Sequence, residues 1–286
     1  MNLKKYTSIV EFVRAIRFIV FYISPKHPRM LRGEVDLFIK IIPEIKTLID
    51  VGARYDVDYI ELSKTNDISY HLFEINPRYF SILLKKLKSY KSEDIVANNV
   101  GIGLENSLVK YNLNSESVID RFPNRFLNFF SKNLNIITLE SYCESNRLDT
   151  IDFLKTDIEH YDYFALKGLG QKLQNVKFVQ FELGLGAPYL DRFVTNTDYI
   201  SLFTNEQKLF FVMDECNPIF KDIPKNTDLI SFHIENLHQI EKVQATEIGF
   251  NVLAVRNDIV VSSLDLNVFP YNEELFSQSL KNWETS

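Results

Sequence analysis

After Pro43 the chain alternates short apolar runs with segments whose apolar residues recur at helical spacing. This is the pattern of a parallel sheet covered by helices on both faces. Residues 47–52 (TLIDVG) read as a buried strand closed by Gly52, and 56–64 (DVDYIELSK) as the helix that follows. A second strand at 69–74 (SYHLFE) leads to Pro77, which opens a basic amphipathic helix running to residue 90. Residues 93–103 read as strand and turn, 108–113 as a further extended piece, and 135–145 as a strand running into a helix. Between them, 114–133 is rich in Asn, Ser and Phe and reads as loop with a short helix. Strand 150–157, helix 163–173 and strand 176–183 follow, and 208–214 and 250–257 form a last strand pair. With no repeat, linker or low-complexity tract, the economical organisation is one domain over 45–261. A helical extension (1–44) precedes it and a tail (262–286) follows.

Within that extension, residues 7–23 are apolar but interrupted by Glu11, Arg14 and Arg17. A spanning helix needs about 20 largely uncharged residues, so this segment predicts an amphipathic helix. Such a helix packs on the domain, joins a second subunit in a homo-oligomer, or lies on a membrane surface. No small-residue cleavage site follows it. The two cysteines, Cys143 and Cys216, cannot make a disulfide framework, so a reducing cytoplasm is the expected compartment. The chain is 45% hydrophobic with a formal charge of −6. That supplies a substantial core and argues against a nucleic-acid partner, because the phosphate-neutralising charge is missing.

Open α/β sheets bind ligands at the carboxyl ends of their strands. The positions to weigh are therefore Asp50 to Asp56, Glu74, Asn98 to Gly103, Asp157 to His160, and Glu182 to Gly184. Glu74 follows Gly52 by 22 positions, the offset at which a nucleotide-binding fold places the acid that reads ribose hydroxyls. The turn itself, Gly52-Ala53-Arg54-Tyr55-Asp56-Val57-Asp58, lacks the further glycines of a dinucleotide fingerprint. Asp56 and Asp58 near a helix N-terminus would repel phosphate but not a cationic, phosphate-free nucleoside. This favours S-adenosyl-L-methionine over NAD or FAD.

The segments LIDVGARYDVDYIEL, HLFEINP, NNVGIG, LDTIDFLKTDIEHYDYFALKG and VKFVQFELG, in that order, resemble the motifs of FkbM-type S-adenosylmethionine-dependent methyltransferases. The resemblance runs from Leu48 to Gly184, with an echo in FNVLAVRN. It implies a Rossmann-like class I α/β fold: a seven-stranded, mostly parallel sheet with helices on both faces. By the same resemblance Asp50 and Gly52 form the methionine-side loop, Glu74 is the ribose acid and Asn99 lies beside the adenine. Asp157 and Glu159 are the acidic pair facing the substrate, and Asp157 also borders the cofactor cleft. Arg54 and Asp56 stand where family members usually have Asn and Gly, and His160 where they have Gly.

The implied reaction is O-methylation of a hydroxyl on a glycan or secondary metabolite. The alternative is a catalytically impaired domain of the same fold, used for binding or scaffolding. A hydroxyl acceptor must be aligned and deprotonated, so Asp157, Glu159 and His160 are the candidate catalytic groups. Against this, Thr156-x-x-Glu159 also fits a capping box for the next helix. Nothing in the sequence shows Asp157, Glu159, His160 and Glu182 converging, and no metal is assigned. Tyr161, Tyr163, Phe164 and the Phe122–Phe130 cluster could stack on a sugar, but in a chain with 23 Phe and 14 Tyr most are core.

Overall fold

Strand β1 (Thr47–Val51) is four-fifths buried and pairs in parallel with β2 (Ser69–Phe73) on one side and β8 (Phe153–Thr156) on the other. The computed structural model describes residues 32–63, 67–90, 93–112, 117–118, 131–158, 161–183, 194–203, 207–214, 217–232 and 249–284. The helix expected at 7–23, the Phe122–Phe130 cluster, Glu159 and His160 lie outside these residues.

From β1 the sheet grows outward through β2 to β3 (Ile95–Asn98), and through β8 to β9 (Phe178–Leu183), all parallel. Next to β9 lies β12 (Phe250–Arg256), antiparallel to it and to β10 (Gln207–Val212). Beyond these come β11 (Leu229–Ser231) and β13 (Val268–Phe269), giving among the described residues nine strands in the order β13-β11-β10-β12-β9-β8-β1-β2-β3. The expected seven-stranded count is therefore replaced by a mixed nine-stranded sheet. The two additional edge strands are three and two residues long, too short to give a periodic signal.

A second sheet has the order β4-β7-β5-β6, formed by Gly101–Ile102, Ser131–Ile137, Ser107–Asn112 and Ser117–Val118. Part of it falls in the stretch expected to be loop. Its strand SKNLNII is mostly polar, and Leu108 on β5 is 70% exposed, so apolar alternation does not mark it.

Side chains alternate across a strand, so Ile49, Val51, Leu154, Val179 and Phe181 fall on one face of the large sheet. They share a core with Leu139 and Tyr142 of α4 (Leu139–Asn146) and Ala165 and Leu166 of α5 (Asp162–Lys167). The opposite face meets α1 (Arg32–Ile41) and α2 (Asp58–Ser63), where Phe38 packs 4.6 Å from Tyr59 and 5.5 Å from Phe153. Leu37 and Ile41, one helical turn apart, are fully buried with it. Among the described residues the last two α-helices are α6 (Asn196–Ser201) and α7 (Glu273–Glu284), and α7 sends Phe276 into the core near Phe211 and Phe250. Arg32–Ser286 forms one compact unit. It takes in residues on both sides of the sequence boundaries drawn at 45 and 262, because α1 and α7 each bury apolar side chains in the domain.

Candidate active site

The chain leaves β1 toward β2 and β3 on one side and returns to β8 and β9 on the other, so strand order reverses at β1/β8. A cleft at the carboxyl ends of these strands is where such a sheet takes its ligand. Gly52 begins the turn there. Its N–H and that of Ala53 both donate to the Phe73 carbonyl at 2.9 Å, and the Asp157 N–H donates to Val51 O at 3.0 Å. Gly52 has φ +89°, and a Cβ on it would lie 2.1 Å from the Asp157 carbonyl oxygen. Both its conformation and its space are thus closed to a side chain.

Two residues later Arg54, also left-handed at φ +52°, donates its N–H to Glu74 Oε2 at 2.8 Å. Glu74 Oε1 accepts from Asn76 N–H at 2.5 Å, and Glu74 is only 5% exposed. It is not a solvated strand end: its carboxylate joins the first loop to the second. Asn76 then caps α3 (Pro77–Leu87) by accepting from the Arg78 N–H at 3.0 Å. Asn99 donates from Nδ2 to the carbonyls of Glu74 (2.8 Å) and Ile75 (3.1 Å), fixing the backbone that carries the acid. Asp50 is buried and level with Lys155 in the β1–β8 register.

Both unusual side chains of the turn reach α3. Asp56 lies 3.6 Å from Lys86 Nζ, the same ammonium sits 5.1 Å over the Tyr55 ring, and the Arg54 guanidinium sits 5.7 Å over Tyr79.

At the end of β8, Lys155 Nζ donates to Asp157 Oδ2 at 3.1 Å; the lysine side chain is 3% exposed and the aspartate side chain 34%. Thr156 lies within β8, whereas α5 starts at Asp162 after Tyr161, so Thr156 is not the N-cap that a capping box requires. Instead the Asp162 carboxylate accepts the Ile158 N–H at 3.3 Å. Asp162 is 1% exposed, and burial together with the nearby Asp157 charge pushes its pKa up to about 7.

Lys155 and Asp162 escaped the sequence reading. Their signals were a cation inside the apolar run IDFLKT and an acid opening a helix. Tyr163 packs against Phe164 and Tyr199, and Tyr161 against Phe164. Burial pushes the Cys143 thiol up to about 11, far from thiolate reactivity. Among the described residues no three or more His, Cys, Asp or Glu side chains group as metal ligands.

No curated protein matches the sequence. Among solved structures, an O-methyltransferase from the trans-AT PKS multienzyme of Brevibacillus brevis, in complex with S-adenosyl-L-homocysteine, is 14% identical with TM-score 0.39, over 98% of this chain and 88% of that one. TrmK of M. capricolum, in complex with the same product, is 11% identical with TM-score 0.42, over 89% and 84%. A precorrin-6y C5,15-methyltransferase from Geobacter metallireducens is 9% identical with TM-score 0.38, over 81% and 94%. The methyltransferase FkbM domain matches residues 50–208, more than half of the chain, and takes in all five described site residues. The chain belongs to the FkbM methyltransferase family and is, by class, an S-adenosylmethionine-dependent methyltransferase.

Proposed function

We propose that this protein transfers the methyl group of S-adenosyl-L-methionine to a hydroxyl oxygen, on a glycan or a secondary metabolite. The observation that carries the reading is the junction at the carboxyl edge, where Gly52 turns the chain at positive φ and Glu74, buried, spans both loops. These residues suit a nucleoside: a left-handed glycine turn at the point where strand order reverses, and a buried carboxylate that accepts from the amides of both bordering loops. Asp50 and Gly52 would hold the methionine end, Glu74 the ribose and Asn99 the loop beside the base. When bound, the donor supplies a methyl group on a positively charged sulfur.

The rest of the work falls to the chain: to orient the acceptor oxygen and remove its proton. We assign this to Asp157, and its partial exposure at the strand end beside Gly52 supports the assignment. Asp56 favours an intact donor loop over an impaired one, because its carboxylate is drawn to Lys86 on α3.

Calorimetric titration with S-adenosylhomocysteine tests the donor half, and absence of binding by the folded protein defeats it. The acceptor half is tested by transfer of labelled methyl from S-adenosylmethionine to a panel of glycans and hydroxylated metabolites. On an acceptor so found, Asp157→Asn is expected to lower turnover by ~10²–10⁴ with little change in donor affinity. Unchanged turnover per folded molecule would place the base elsewhere.

A further inference from the structure

A lysine inside a β-strand of the central sheet is costly, because a buried ammonium must be matched by an opposite charge. Lys155 is such a lysine, and its Nζ reaches Asp157 Oδ2 at 3.1 Å. The neighbouring strands bring further charged and polar groups to it. Asp50 of β1 and Gln180 of β9 are level with Lys155 in register. Gln180 donates to the buried Glu34 carboxylate of α1, and Glu182 follows on the same face of β9. From α5, the buried Asp162 holds the Ile158 N–H, one residue past Asp157. One ammonium therefore touches the partly exposed carboxylate, while a second carboxyl sits buried beside the same strand end.

We propose that Lys155 is a positioning residue for Asp157, holding its carboxylate ionised and fixed at the cleft, while Asp162, buried beside the same strand end, stays neutral. The inference rests on the reading that Asp157 serves the acceptor. A proton-accepting carboxylate is useful only if it is unprotonated before the acceptor arrives. Asp162 supports the division of labour, since desolvation and the Asp157 charge both favour its neutral form. The arrangement supplies a base that is ready near neutral pH without any group being recruited from solvent.

The test is carboxyl ¹³C NMR of the full, ligand-free chain across the acid-to-neutral range, with the two resonances assigned through Asp157→Asn and Asp162→Asn. In Lys155→Gln, Asp157 is expected to take up its proton about 1 to 3 pH units higher than in the parent, as loss of an adjacent cation requires. Lys155→Arg should return it toward the parent position. Asp162→Asn should remove the higher of the two titrations. The proposal is overturned if Lys155→Gln leaves the Asp157 titration in place, or if Asp162 titrates as an ordinary exposed carboxyl. Should Lys155→Gln fail to fold by circular dichroism, the parent decides. There, Asp157 must titrate below the ordinary carboxylate range, and a value at or above it sinks the idea. None of these readings uses a donor or acceptor, so failure of the methyl-transfer reading appears separately, as absent S-adenosylhomocysteine binding.

Discussion

The Glu74 carboxylate closes the junction of two loops through the amides of Arg54 and Asn76, and the same group is the proposed partner of the donor ribose. Its loss therefore acts twice. Glu74→Ala is expected to weaken S-adenosylhomocysteine binding by the ~1.5–3 kcal/mol of a hydrogen bond to a charged group, and to lower the melting temperature through two orphaned amides. Equal affinity in calorimetry would remove Glu74 from the donor site while leaving its loop role intact. Asp56 is the contrasting case. Its partner is the half-exposed Lys86, a pair of the kind usually worth ~0.2–1 kcal/mol. Asp56→Gly should therefore leave donor affinity unchanged and cost little stability; a clear loss of affinity would show that Asp56 is itself a ligand. The place of Glu74 at the end of the second strand was legible from its offset to Gly52. Its burial was not, because only the fold brings the Arg54 and Asn76 amides onto it.

At the level of elements, the turn after β1 and the helix α7 show two ways in which a segment is fixed. Gly52 is confined by the Asp157 carbonyl and the Ile158 side chain, so Gly52→Ala combines a disfavoured φ with a Cβ pressed on the Asp157 carbonyl. A melting temperature close to the parent would mean that the β1–β8 junction yields more easily than this geometry allows. The helix α7 is held instead by packing. Phe276 lies 6.1 Å from Phe211 and 6.2 Å from Phe250 and is 5% exposed. Phe276→Ala should cost about 3–5 kcal/mol in denaturant unfolding, the range for deleting a buried aromatic ring. A cost below about 1 kcal/mol would return residues 262–284 to the status of a tail.

For the whole molecule, the buried carboxyl of Asp162 ties stability to pH. In the folded state it holds a proton up to about pH 7, against an ordinary value of 3.8. Between these values the native state carries the extra proton, so this group's contribution is full at low pH and is lost as pH rises through about 7. Asp162→Asn keeps an acceptor for the Ile158 N–H and should flatten that decline in melting-temperature profiles. A slope unchanged by the substitution would show that other groups set it. The sequence by itself determined the alternation of apolar strands and amphipathic helices, and hence a parallel α/β core with Gly52, Glu74 and Asp157 at the carboxyl ends of its strands. Those features are local: periodicity, a glycine turn and the distance along the chain to the next strand end. Tertiary structure alone decided the nine-strand count, the polar second sheet and the place of α7 within the domain, because strands this short or this polar carry no periodic signal. It also decided the relation of Lys155, Asp157 and Asp162, since register and burial set what surrounds a charge, and neither is written in the spacing of residues.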